Sequence, residues 1–176
     1  IMECRFMNKD YKYVTVNGDK MYASVPKERR THLARIISES WLVLGDAAKA
    51  KEYYDRTEVS AGKSRTDYFY AGYLLYAVED YKGAIDNYSM MTERTDSLGQ
   101  IADYQMGYSY IQTKNKVAAM QAFKDASQVA YDKDIQEDAY FNYAKLAFDL
   151  NNDPSVFDSY IKTYPELAKG DRIYSY

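Results

Sequence analysis

Small residues recur along this chain at a spacing that limits its fold more than any other feature does. Ser38, Gly72, Gly107 and Ala144 stand 34, 35 and 37 residues apart. Three places after each comes an apolar position, Trp41, Leu75, Tyr110 and Ala147, followed by a polar turn. A second small or short residue and an aromatic four places later close each unit: Ala50 with Tyr54, Ala84 with Tyr88, Ala119 with Phe123, and Val156 with Tyr160. A period of this length accommodates two helices and their turns. Small residues let two helix backbones approach closely, and the rings fill the space between successive pairs. Gly inside a helix costs about 1 kcal/mol relative to Ala, so Gly72 and Gly107 are expected to serve packing.

Composition removes several function classes. Of 176 residues, 47% are hydrophobic and 28% charged, too apolar a mixture for a disordered chain. The net charge of -3 offers no concentrated positive surface for phosphates, so nucleic-acid binding is not expected. One His and one Cys leave most His-dependent triads, zinc sites and disulfides without their parts. Cys4 is read as a small buried hydrophobe. No run approaches the roughly 20 apolar residues of a membrane span, and Ile1–Arg5 shows no basic-then-apolar leader pattern.

The segments Tyr68-Phe69-Tyr70-Ala71-Gly72-Tyr73 with Asp80-Tyr81-Lys82-Gly83-Ala84, and Met106-Gly107-Tyr108-Ser109-Tyr110 with Ala119 and Phe123, carry a family likeness. The chain resembles the tetratricopeptide repeat (TPR) family, whose unit is about 34 residues and two helices. Departures are Ser38 and Val156 at positions where Gly or Ala is usual, and no Pro after the units that end at Gly62, Asp96 and Tyr131. The resemblance implies an all-α, right-handed superhelical solenoid of antiparallel helix hairpins. Its divisions are a partial unit over 1–26, units over 27–62, 63–97, 98–131 and 132–169, and the start of another at 170–176. Phe157-Asp158-Ser159-Tyr160-Ile161-Lys162-Thr163-Tyr164-Pro165 is similar to the variant in bacterial cell-envelope repeat proteins of the TolA-binding type. That likeness favours periplasm or cell envelope over cytoplasm. Both ends read as cut from a longer array, which would expose Ile1, Met2, Phe6 and Met7 at one end. Tyr160, Tyr164, Ile173, Tyr174 and Tyr176 would be exposed at the other. Such faces would be hidden by end-to-end contact between molecules, or by the last residues folding back onto the final hairpin.

One segment opposes the frame. Tyr11–Tyr22 places β-branched and aromatic residues around Asn17-Gly18, a strong local hairpin signal. Against it, Asp10-Tyr11 and Pro26 fall where the repeat puts them, and a lone hairpin would leave the next unit without a helical neighbour. The register argument favours a helix.

In the family that the chain resembles, ligands lie on the concave face lined by the first helix of each unit. Projected onto this sequence, that face holds Arg35, Glu39 and Leu42; Phe69, Tyr73 and Tyr76; Tyr104, Tyr108 and Ile111; and Phe141, Lys145 and Phe148. With 21 Tyr in the chain, an aromatic groove for an extended peptide is the expectation. The blander alternative is that these rings pack between helices. The family's carboxylate clamp would need basic or Asn residues where Arg35, Glu39, Tyr73, Tyr104 and Tyr108 stand, so it is not expected. Arg29, Arg30, His32 and Arg35 read as a solvated edge. Asp132, Asp134, Glu137 and Asp138 lack calcium-loop spacing and read as helix-start acids. Asn151-Asn152-Asp153-Pro154 reads as a turn, Asn87-Tyr88-Ser89 as an accidental glycosylation triplet, and Met90 and Met91 as core filler. With no catalytic constellation, the expectation is a non-catalytic scaffold module without a cofactor, binding a protein or peptide. The alternatives are glycan binding, for which the groove offers mainly Gln112 and Thr66, and a structural spacer in a larger cell-envelope protein.

Overall fold

Short polar turns set the architecture. In the computed structural model, which describes residues 1–57 and 64–166, every described regular element is helical. The helices come in pairs: α1 (Met2–Met7) with α2 (Tyr11–Ser24), and α3 (Lys27–Val43) with α4 (Ala47–Tyr54). Then follow α5 (Arg65–Ala77) with α6 (Tyr81–Ser89), α7 (Ser97–Gln112) with α8 (Lys116–Ser127), and α9 (Lys133–Asn151) with α10 (Ser155–Thr163). Each turn inside a pair contains one residue in the left-handed region: Lys9, Gly45, Glu79, Lys114 and Asn152. An Asp or Asn comes next each time. Asp10, Asp46 and Asn115 accept a backbone N–H two or three residues into the following helix, the usual N-cap bond. In these three turns the polar stretch is a left-handed residue followed by a cap. No described helix is long and apolar enough to cross a membrane.

The chain divides into two compact units, 1–64 with 77–80, and 65–76 with 81–176. In the first, α1 to α4 enclose Met2, Val14, Leu33, Ile36, Ile37 and Tyr53, with Trp41 and Tyr22 at the margin. The Asn-Gly of the hairpin signal lies inside α2. A Cβ on Gly18 would sit 3.1 Å from Ile37, so the glycine permits close contact between α2 and α3. Asn17 donates to the Tyr13 carbonyl one turn back. Packing overrides the local turn propensity, and Tyr11–Ser24 is a helix. Ser38 acts as the small residue by donating its hydroxyl to the Ala50 carbonyl at 2.7 Å. The buried ring of α4 is Tyr53 rather than Tyr54, which is half-buried. Tyr53 donates its phenol to Asp19, and burial together with that carboxylate pushes it up to about 12.

In the second unit the small-residue rule is visible atom by atom. A Cβ on Gly72 would lie 2.6 Å from the Tyr88 ring, and one on Gly107 would lie 2.7 Å from the Phe123 ring. Both rings are buried, as are Ala84 and Ala119 beneath them. Tyr160 is buried in the third pair. One core gathers Phe69, Tyr88, Met91, Ala102 and Met106; another gathers Phe123, Ala126, Ala139 and Leu146. Gln100, wholly buried, ties the α8–α9 connection: its amide donates to the Asp132 carbonyl and its oxygen accepts the Asp132 N–H.

Several sequence expectations need correcting. Cys4 is exposed because it lies on the outer side of a six-residue helix whose inward residue is Met2. Met2 and Tyr160, expected on open ends, are buried in their units, whereas Ile1 and Met7 are exposed. Met91 fills the core but Met90 points outward. Gly62, Ile173, Tyr174, Tyr176 and the further unit at 170–176 lie outside the described residues.

Candidate functional site

The projected groove residues of the second unit stand on α5, α7 and α9. Phe69 and Phe141 are buried and belong to helix packing, as the blander reading of these rings has it: Phe69 against Tyr88, and Phe141 against Phe157 and Tyr160. Tyr73, Tyr76, Tyr104, Tyr108 and Lys145 are half-buried, and Phe148 and Ile111 are exposed. Tyr76 meets Tyr81 edge-on, and burial raises its phenol above the ordinary value.

The densest part of this face joins α7 to α9. Tyr104 and Tyr108, one turn apart, pack edge-to-face at 5.1 Å and both lean on the Phe123 ring. Each donates its hydroxyl to the same oxygen of Asp138, Oδ2, at 2.8 Å. Asn142, one turn along α9, donates to that oxygen at 2.9 Å and to the Tyr108 hydroxyl at 3.3 Å. One carboxylate oxygen thus gathers three donors from two helices. Burial first, then the neighbouring Tyr108 and the Asp138 carboxylate, holds the Tyr104 phenol above its ordinary value; burial chiefly, opposed by Tyr104 and helped by Asp138, does so for Tyr108, so both stay protonated and serve as donors. Asp138 is a helix-start acid by sequence, and in the structure it holds the hydroxyls of two tyrosines. Asn142 had no sequence signal, because its role depends on Tyr108, 34 residues earlier.

Arg35 and Glu39, in the first unit, pair with each other at 2.9 Å along α3. The pair neutralises the basic residue that an anion clamp would need. Nearby, Glu3 lies 3.3 Å from both Arg29 and His32 at an exposed edge. Asp132 caps α9, accepting from Asp134 and Ile135. Asn87 lies within α6 and donates to the Gly83 carbonyl. No metal-binding group of three His, Cys, Asp or Glu occurs among the described residues.

The chain matches no protein-family model, no curated protein and no solved structure.

Proposed function

We propose that the helix pairs belong to a TPR-like right-handed solenoid and that the protein is a non-catalytic scaffold module binding an extended protein or peptide segment. The observation that carries this reading is the row of half-buried rings, Tyr73 and Tyr76 on α5 and Tyr104 and Tyr108 on α7. Tyr offers a broad apolar face with only two rotors, so little conformational freedom is lost when a ligand covers it. Asp138 and Asn142 hold two of the rings in place before any ligand arrives, which lowers the ordering cost of binding. A periplasmic or cell-envelope setting is proposed on the Phe157–Pro165 run alone.

A peptide array followed by pull-down tests this, comparing the wild type with a Tyr73→Ala, Tyr104→Ala, Tyr108→Ala triple variant. Loss of the selected peptides in a triple variant that is still helical is the expected result. Equal binding by both proteins would remove the groove from the account.

One observation favours glycan binding as a second reading. Asp138 and Asn142 place a carboxylate and an amide beside two aromatic rings, a combination that grips sugar hydroxyls while a ring covers the sugar face. A glycan array probed with the wild type and Asn142→Ala separates the two readings: hits that vanish in the variant would favour sugars over peptides.

A further inference from the structure

The same small assembly, two crossed tyrosine rings and one carboxylate, is built once in each unit. In the first, Tyr53 on α4 meets Tyr22 on α2 at 83° and donates its phenol to Asp19. In the second, Tyr104 meets Tyr108 at 83°, and both donate to Asp138. The two places are not equivalent in the repeat, so the likeness is one of chemistry.

The first assembly carries its own cation. The Arg56 guanidinium lies over the Tyr53 ring at 4.4 Å and reaches the Tyr22 ring at 5.4 Å. Its Nη1 stands 3.8 Å from the Asp19 carboxylate. A flat cation on the rings and a carboxylate beside it thus complete the group within the chain itself. Over Tyr104 and Tyr108, no cation lies among the described residues. Arg65 and Arg94, the described arginines of the second unit, are engaged at Asp96 and Asp103.

The donors of the second assembly are already spent. Both hydroxyls point their hydrogens at Asp138. The Asn142 amide gives its two N–H groups to the Asp138 carboxylate and carbonyl, with the Tyr108 oxygen close by. Turning that amide over would set its oxygen against both acceptors, so its orientation is fixed. The Asn142 oxygen accepts no bond and is not buried, and the Tyr104 oxygen keeps a lone pair. What the site offers a ligand is therefore acceptors, two half-buried rings and a neighbouring carboxylate. A ligand that suits it brings donors and positive charge.

We propose that the segment bound in the groove places an arginine side chain on Tyr104 and Tyr108, with its guanidinium beside Asp138 and Asn142, as Arg56 lies beside Tyr53 and Asp19. This rests on the peptide reading of the groove and adds the residue that the groove selects. A guanidinium is planar, carries five N–H donors and no acceptor, and lies flat on aromatic rings. An ammonium is a compact, strongly hydrated charge with three donors, so lysine gains less. A glutamate brings acceptors and the wrong charge.

The test pans a random heptapeptide library on the whole chain and on the Tyr73→Ala, Tyr104→Ala, Tyr108→Ala triple variant. The strongest peptide that needs the tyrosines is then remade with citrulline or lysine in place of its arginine. Citrulline keeps the shape and removes the charge. Arginine should be enriched at one position of the selected peptides. Citrulline should weaken binding by about tenfold or more, and lysine by less. Asp138→Asn, checked for helix content, should weaken the arginine peptide by a similar factor and leave the citrulline peptide nearly unchanged. If tyrosine-dependent peptides show no arginine enrichment, or if wild type binds the citrulline form as tightly, the proposal is overturned and the groove reading stands. If no selected peptide needs the tyrosines, both fall together.

Discussion

Phe69 on α5 and Tyr104 on α7 hold the same place, three residues before Gly72 and Gly107, yet one is buried and the other only half-buried. The difference lies on the next first helix of the array. Phe69 packs on the Tyr88 ring, in an apolar cluster against which Ile101 of α7 also packs. Six residues before Ala144, where Ile101 stands six before Gly107, the facing residue is Asp138. Its carboxylate holds the Tyr104 and Tyr108 hydroxyls toward the margin. Tyr104 is thus held by a residue 34 positions later, whereas Phe141, at the same place before Ala144, is buried against the rings of α10.

The largest effect should come from the rings that both layers share in kind. Phe123→Ala and Tyr88→Ala each remove a buried ring and should cost about 3–5 kcal/mol in chemical denaturation. They should differ in reach. Phe123→Ala also removes the surface on which Tyr104 and Tyr108 rest, and should weaken ligand binding by the groove. Tyr88→Ala should leave that part of the groove intact.

Gly72→Ala and Gly107→Ala come next, at about 1–3 kcal/mol each, because the added methyl would meet a buried ring at 2.6 or 2.7 Å. Thermal unfolding should show similar losses at both positions; a cost at only one would mean that the two pairs are not built alike.

The neighbour of Tyr104 supplies a pH test. Burial, opposed by Arg94, pushes the Asp103 carboxyl up to about 7 against an ordinary 3.8, so the folded protein holds a proton that the unfolded chain releases between these values. Its contribution to stability is full below the unfolded pKa and is lost as pH rises from about 4 to 7. Melting temperatures should fall across that window in the wild type. Asp103→Asn should flatten the curve and leave it the more stable protein at about pH 8. Asp96, whose carboxyl is held below the ordinary value by Arg65, acts in the opposite sense and at lower pH.

The smallest effect should be that of Asp138→Ala. Tyr104 and Tyr108 are only half-buried, so water can replace the lost acceptor and the cost should be about 1 kcal/mol. Its value lies in contrast with Ile101→Ala, which loses apolar contact and should cost more.

The helix pairs were legible because packing leaves a local trace: a small residue, a polar turn, then a small residue and a ring. Gly72 and Gly107 could be assigned their role before the rings they meet were known. The turn inside each pair was legible as polar, though not its left-handed residue. In the first pair of the frame the ring slipped by one, to Tyr53, since its partner is Asp19, thirty-four residues earlier. Asp138 and Asn142 left no such trace. Each depends on which residue faces it across helices, and one-dimensional spacing does not encode that. Cys4 misled because a small apolar residue carries no sign of which side of a short helix it will take.

The groove itself is tested most directly by locating a bound peptide. A segment selected from a random library, carrying a nitroxide at its centre, would be added to isotope-labelled protein and the broadened resonances mapped. The account predicts broadening centred on Tyr73, Tyr104, Tyr108 and Asn142, along α5, α7 and α9. Broadening confined to α6, α8 and α10, with those four residues untouched, would contradict it.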